Sequence, residues 1–250
     1  MSAPRVEGSQ VEGRQAVREL LRARRRRVHR LSVAQGAGEK GVLGEIVDLA
    51  RAAGVPVRKV GREQLEADAA TDAPQGVIAW ADPVPEADLD GLVKADHPFL
   101  VVLDGVTDPH NLGAIMRSAL CAGATGLVVG RHRAAGLTPA AVKAAAGAAE
   151  HLPVAVVAGI PAALSSLSAA GVWTVGLEAE APTSVWDLTV ATEPVALVLG
   201  AEGGGLGRLT RQRCELVVSI PLSGPIESLN VSAAAALACF EVARRRQPTD

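Results

Sequence analysis

Apolar residues in this chain recur at two spacings, and the alternation between them sets out the fold. Short runs apolar on both faces, such as FLVVL at 99–103 and VALVL at 195–199, are separated by segments whose apolar positions follow a helical period. Such runs joined by helices predict a parallel sheet covered on both sides. The spacing predicts strands over 99–106, 126–130, 153–157, 172–177, 195–200 and 216–221. Helices are predicted over 111–122, 138–149, 161–170, 206–213 and 230–246. Before this block lies a smaller α/β unit. Val17, Leu20 and Leu21 share one face of a helix beginning near Gly13, followed by a strand at 28–33, a helix at 41–53, a strand at 55–60, a helix at 62–69 and a strand at 76–80. Residues 82–96, DPVPEADLDGLVKAD, combine prolines and acids with little periodicity and read as a linker. The expected organisation is a disordered lead at 1–9, a domain at 10–81, the linker, and a larger domain at 97–250.

Composition narrows what these domains can do. With 48% hydrophobic residues among 250, the chain can bury a sizeable core. Aromatics make up 2% with no Tyr, which argues against reading nucleobases on an aromatic platform. A formal net charge of −2 leaves any nucleic-acid contact to local patches. One patch stands out, because residues 1–30 carry nine arginines against three glutamates. Arg22, Arg24, Arg25, Arg26, Arg27 and Arg30 are its densest part, a local patch of the kind that meets nucleic-acid phosphates; the bland alternative is a solvated helix end. A smaller patch runs from Arg244 to Arg246. Cys121, Cys214 and Cys239 are widely spaced and lack a metal-binding pattern, so each is expected to be a small core residue and no metal is expected. No apolar run approaches the ~18 residues of a membrane span and no apolar signal region is present, so the default is a cytoplasmic protein.

Three stretches carry candidate chemistry, each beyond the end of a predicted strand, where open α/β sheets bind ligands. In DPHNLGAIMRSALCAG (108–123), Leu112, Ile115, Met116 and Ala119 form the sheet-facing stripe and Arg117 lies opposite. Arg117 is free either to reach a ligand or simply to be solvated, and Asn111 could be a helix cap. In LGAEGGGL (199–206), glycines let main-chain N–H groups approach a ligand, and Glu202 is a carboxylate that a structural turn would not need. Neither a dinucleotide fingerprint nor a P-loop can be placed on these glycines, which removes a nicotinamide oxidoreductase. In SIPLSGPIESLNVS (219–232), Ser228, Asn230 and Ser232 could each cap the last helix.

Together the three stretches resemble, in order and separation, the three motifs of the SpoU (TrmH-like) RNA ribose 2′-O-methyltransferases of the SPOUT superfamily. EGRQAVREL and QGVIAWA in the first domain are similar to the substrate-binding domain of the subgroup that modifies a guanosine of 23S rRNA. The resemblance covers about Val11 to Arg246. Leu222 stands where the subgroup often has Met, and Ala233 where a larger apolar residue is common. The resemblance implies an α/β catalytic domain with a mostly parallel sheet and a deep trefoil knot, preceded by a small α/β substrate-binding domain. It implies a homodimer, S-adenosylmethionine as methyl donor, and RNA as substrate, either 23S rRNA or a ribosome precursor. By matched position, Leu199, Gly200, Ile220, Leu222 and Leu229 would hold the cofactor, and Asn111, Arg117, Glu202, Ser228 and Asn230 would line the reacting centre. Arg117 would act on the ribose 2′-OH, as a base or as a cation that stabilises the alkoxide. A guanidinium stays protonated near neutral pH, which favours the cation. His110 has no matching role. The alternatives are a tRNA ribose methyltransferase, an rRNA methyltransferase conferring antibiotic resistance, and a non-catalytic RNA-binding module.

Overall fold

The structure, a computed structural model, describes residues 9–36, 41–132 and 134–247. The expected disordered lead lies outside the described residues, except for Ser9, which opens a strand. In chain order the elements are β1 (Ser9–Glu12), α1 (Arg14–Ala23), β2 (Val28–Ala34), α2 (Val42–Ala52), β3 (Val57–Val60), α3 (Arg62–Ala67) and β4 (Val77–Ala81). They continue with β5 (Glu86–Ala87), α4 (Leu89–Val93), β6 (Phe99–Asp104), α5 (Pro109–Cys121), β7 (Gly126–Gly130) and α6 (Pro139–Ala144). Then follow β8 (Val154–Val157), α7 (Ile160–Ala169), β9 (Trp173–Leu177), β10 (Thr183–Ser184), β11 (Val195–Gly200), α8 (Arg208–Arg213), β12 (Leu216–Ser219) and α9 (Val231–Arg246). No helix among the described residues is long and apolar enough to cross a membrane.

The chain forms two compact units. One holds the residues up to Pro85 together with Gly136–His151, and the other holds Glu86–Ala135 and Leu152 onward. The first unit has a four-stranded sheet in the order β1-β4-β2-β3, antiparallel except where β2 meets β3. The α1 side chains Ala16, Val17, Leu20 and Leu21 are buried, as their helical spacing dictates. Glu12 is fully buried in β1, and its carboxylate accepts hydrogen bonds from the backbone N–H groups of Ala70 (2.5 Å) and Thr71 (3.2 Å), which replace the water it has lost.

Residues 136–151 follow β7 in the chain yet complete this first unit. The helix predicted to 149 stops at Ala144, because Ala146 and Gly147 both take left-handed backbone angles, φ 50 and φ 99. A Cβ at Gly147 would lie 2.5 Å from the Glu19 side chain, so only glycine lets the turn close on α1. Beyond it Glu150, 2% exposed, receives Arg26 through two hydrogen bonds, Nε to Oε2 at 3.0 Å and Nη2 to Oε1 at 2.5 Å. His151 meets Glu19 at 3.0 Å, and Lys143 donates to Thr71 Oγ1 at 2.9 Å.

The second unit is an eight-stranded sheet in the order β10-β12-β9-β11-β6-β7-β8-β5, parallel at every pairing. Helix α7 buries Ile160, Ala163, Leu164 and Leu167 against Leu100, Val102, Val128, Ala196 and Val198, while α5 and α9 pack against each other. The stretch expected as a linker carries β5 and α4, and its Leu92 joins this core at 6% exposure. Two- and five-residue elements are too short to display a period, which is why they were not legible.

Candidate active site

Strand β6 buries Phe99–Leu103 and ends on Asp104. Four residues on, Asp108 caps α5 by accepting the His110 N–H at 3.0 Å, with Pro109 at the first helical position. The cap is therefore Asp108 and not Asn111, whose buried side chain bonds elsewhere. Leu112, Ile115, Met116 and Ala119 are buried as their spacing predicted. Arg117 is exposed and has no hydrogen-bond or ion-pair partner among the described residues.

Strand β11 lies beside β6 with Leu199 opposite Leu103 and Gly200 opposite Asp104, so both strands deliver their loops to the same sheet edge. There the chain turns back on itself, the N–H of Ala201 donating to Gly205 O and that of Gly205 to Ala201 O, both at 3.0 Å. A Cβ at Gly200 would lie 2.1 Å from the carbonyl carbon of Gly205, so no larger residue fits. Asp104, which the sequence reading missed, ties β6 to this loop by accepting the Gly207 N–H at 2.9 Å. Its only sequence signal was its place at the end of an apolar strand.

The turn puts Glu202 within reach of two amides from distant parts of the chain. Glu202 Oε1 accepts from Asn111 Nδ2 and, at 3.1 Å, from Asn230 Nδ2; Asn230 Nδ2 also donates to Asn111 Oδ1 at 3.2 Å. The three bonds close a ring that fixes all three side chains. Asn230 in addition caps α9, its Oδ1 accepting from Ser232 N–H (2.8 Å) and Oγ–H (2.6 Å). The capping expected of it is present, and the same side chain bonds Glu202 and Asn111. Ser228 is exposed and joins no hydrogen bond with the described residues.

Of the residues expected to hold S-adenosylmethionine, Leu199 is buried, so it can offer only its backbone. Ile220 is half-buried, and Leu222 and Leu229 are 40% and 41% exposed. Apolar side chains beside main-chain groups at the edge of a parallel sheet fit a ligand that joins a heteroaromatic ring to polar ends.

The arginine run is divided in its use. Arg26 is corrected from an RNA contact to a buried structural residue: its guanidinium is 2% exposed and held by Glu150, Ser9 Oγ (2.7 Å) and the Asp82 carbonyl (2.6 Å), where no phosphate can reach. Arg25 donates to the Glu150 carbonyl at 3.1 Å, Arg22 pairs with Glu19 and Glu45, and Arg30 lies 3.9 Å over the Trp80 ring. Arg24 and Arg27 are exposed, with no side-chain partner among the described residues. The second patch is structural too. Arg244 and Arg245 hold Glu241, and Arg246 donates to the carbonyls of Ala191, His97, Pro98 and Glu193. Burial holds the Arg246 guanidinium below its ordinary pKa. Of the cysteines, Cys239 is buried and Cys214 partly so, and burial pushes both thiols up to about 12; Cys121 is exposed, contrary to the expected core position.

Residues 98–240 match the model of the SpoU rRNA Methylase family, and residues 10–87 match that of the RNA 2′-O ribose methyltransferase substrate-binding domain. The chain is 40% identical to the 23S rRNA (guanosine-2′-O-)-methyltransferase RlmB of Shewanella oneidensis, over 94% of this chain and 96% of that one. It superposes with a TM-score of 0.80 on the SpoU methyltransferase AviRb of Streptomyces viridochromogenes in complex with AdoMet, at 27% identity over 95% of this chain and 90% of that one. A structure bearing on 2-OH methylation of C/U34 on tRNA matches with a TM-score of 0.54 at 26% identity, over 60% of this chain and 97% of its own.

Proposed function

The chain belongs to the SpoU rRNA methylase family, and on that premise we propose that it methylates the ribose 2′-OH of a guanosine in 23S rRNA, with S-adenosylmethionine as donor. The observation that carries the catalytic reading is the Asn111–Glu202–Asn230 ring at the carboxyl ends of β6 and β11. The donor supplies an electrophilic methyl group. What remains for the protein is to align the 2′-oxygen, meet the charge that grows on it and let its proton pass to solvent water.

The ring presents a carboxylate and two amides in fixed positions, which suits holding a ribose by its hydroxyls. Arg117 remains cationic and stabilises the 2′-oxygen as it gains negative charge. Deprotonating a guanidinium near neutral pH would cost roughly 1.4 kcal/mol for each unit of mismatch, whereas charge placed at a developing oxyanion contributes roughly 3 kcal/mol. Leu199 and Gly200 offer backbone to the cofactor, Ile220, Leu222 and Leu229 cover its apolar parts, and Ser228 lines the reacting centre.

The working form is a homodimer. Ala233, Leu237 and Phe240 follow one another along the exposed side of α9, a helix that packs on α5, which carries Arg117. A second copy covering that apolar stripe would border the catalytic helix. The trefoil knot of the C-terminal strands and helix, action in the cytoplasm and a ribosome precursor as substrate belong to the same reading. The tRNA alternative is weaker, because the rRNA enzyme aligns over nearly the whole chain while the tRNA-related structure omits two fifths of it.

Two measurements test the proposal. Mapping 2′-O-methyl groups in rRNA from cells with and without the protein should show one 23S guanosine lost; a mark lost from tRNA instead would move the target. Arg117→Ala should slow methyl transfer at least ~10²-fold while calorimetric binding of S-adenosylmethionine stays intact. Near wild-type turnover would remove Arg117 from the mechanism.

A further inference from the structure

The substrate-binding unit contains a cavity of about 620 Å3 that no role described so far uses. It opens where β2 ends and α1 and α2 begin, beside α3 and the turn of residues 72–76. Its floor is apolar, since Leu43, Leu65 and Pro74 are buried; the charged residues that line it, Arg14, Arg62, Glu66 and Asp72, are exposed and so stand at its mouth. The size falls within the roughly 300–1,000 Å3 of sites that take small organic ligands.

The chemistry of the mouth selects among occupants. Arg62 is paired with Glu66, and Arg14 and Asp72 line the same mouth, so donors and acceptors are both present and a phosphate alone would meet the Asp72 carboxylate, unpaired among the described residues. No group of His, Cys, Asp and Glu among the described residues is placed to hold a metal ion. A planar heterocycle satisfies both halves, with its faces against the apolar floor or a guanidinium plane and its amino and imino N–H groups donating to the carboxylates. The wall is also held firmly. Gln75 takes φ 56, a left-handed conformation unusual for its type, and is kept there by hydrogen bonds with Arg14, N–H to Oε1 at 3.0 Å and Nε to the Gln75 carbonyl at 3.1 Å. Arg62 is fixed by Glu66 at 2.9 Å. The wall is thereby held in one conformation before any ligand arrives.

We propose that this cavity receives one unstacked nucleobase bearing an exocyclic amino group, from the RNA that the enzyme methylates. The inference rests on the RNA reading above and adds a second point of contact, separate from the reacting ribose. Lodging one base outside the catalytic centre selects substrates with an unpaired nucleotide at a set distance from the methylated one.

The test uses the full-length protein and a 23S rRNA fragment. Ala73→Trp, an exposed position lining the cavity, should raise KM for RNA at least ~10-fold while kcat at saturating RNA stays within about two-fold and S-adenosylmethionine affinity is unchanged. Fragments carrying 6-thioguanosine, which keeps its amino group, should photocrosslink to peptides within residues 34–76, and fragments carrying 4-thiouridine should not. A wild type that transfers methyl groups, with an A73W variant of unchanged KM and crosslinks only elsewhere, overturns the pocket and leaves the enzyme reading standing. A wild type that transfers no methyl group to RNA overturns both.

Discussion

Two glutamates in this molecule sit at the centre of polar clusters built from remote parts of the chain, and they differ in one respect. The side chains of Glu150 and Arg26 are both 2% exposed and are bonded to each other. Glu202 and its partner Asn230 are exposed, and only Asn111 in that cluster is buried. A closed ion pair holds chain segments together. An open amide–carboxylate ring has the same order but leaves its surface to a ligand. Burial, rather than residue type, separates the two roles.

Substitution at the two centres should therefore fail in opposite ways. Glu150→Ala leaves the Arg26 guanidinium buried without a counter-charge, which should cost roughly 3–5 kcal/mol in denaturant unfolding. Glu202→Ala should leave unfolding within about 1 kcal/mol, since the position is exposed, yet slow methyl transfer roughly 10²-fold. If Glu202→Ala unfolds the protein and Glu150→Ala does not, the contrast is reversed. The arginine run sharpens it further. Replacing Arg24 and Arg27 together by Gln should reduce the slope of log affinity against log salt for RNA by about 1–2, and an unchanged slope would remove the run from RNA binding.

A smaller effect concerns acid. Hydrogen bonds from Arg244, opposed by burial and assisted by Arg245, hold the Glu241 carboxyl below its usual pKa. The group binds its proton less readily folded than unfolded, so its stabilising contribution is full above the ordinary carboxylate range and lost as pH falls through the lowered value. Glu241→Gln should lower the melting temperature at pH 7, where the contribution is full, and flatten its fall between about pH 5 and pH 3, so that the variant and the wild type converge in acid. Smallest of all, iodoacetamide at pH 8 should label Cys121 and spare Cys214 and Cys239, whose thiols are pushed up to about 12; mass spectrometry of the digest reads this directly.

The same contrast explains what could be read from residues alone. The sheet and the α5 stripe of Leu112, Ile115, Met116 and Ala119 follow from local spacing, which a short window displays. Glu202 drew notice because a carboxylate among glycines is locally anomalous. Its bond to Asn111 spans 91 positions, and the bond of Arg26 to Glu150 spans 124, so neither pairing leaves a local trace. Seen only in sequence, Arg26 is one more arginine in a basic run. Nor could β1 be anticipated, since Val11 and Glu12 are both buried where alternation would expose one.

The placement of residues 136–151 also has a consequence during synthesis. The chain up to Pro85 leaves the ribosome first, but the unit it forms is finished only when Glu150 follows. At ~5–20 residues per second, that interval is about 3–13 s. Through it Arg26 stands in a half-built interior without its counter-charge, while β6 and β7 of the other unit are already being made. The two units are therefore completed in an interleaved order, and the nascent first unit has a window of seconds in which a chaperone can act on it.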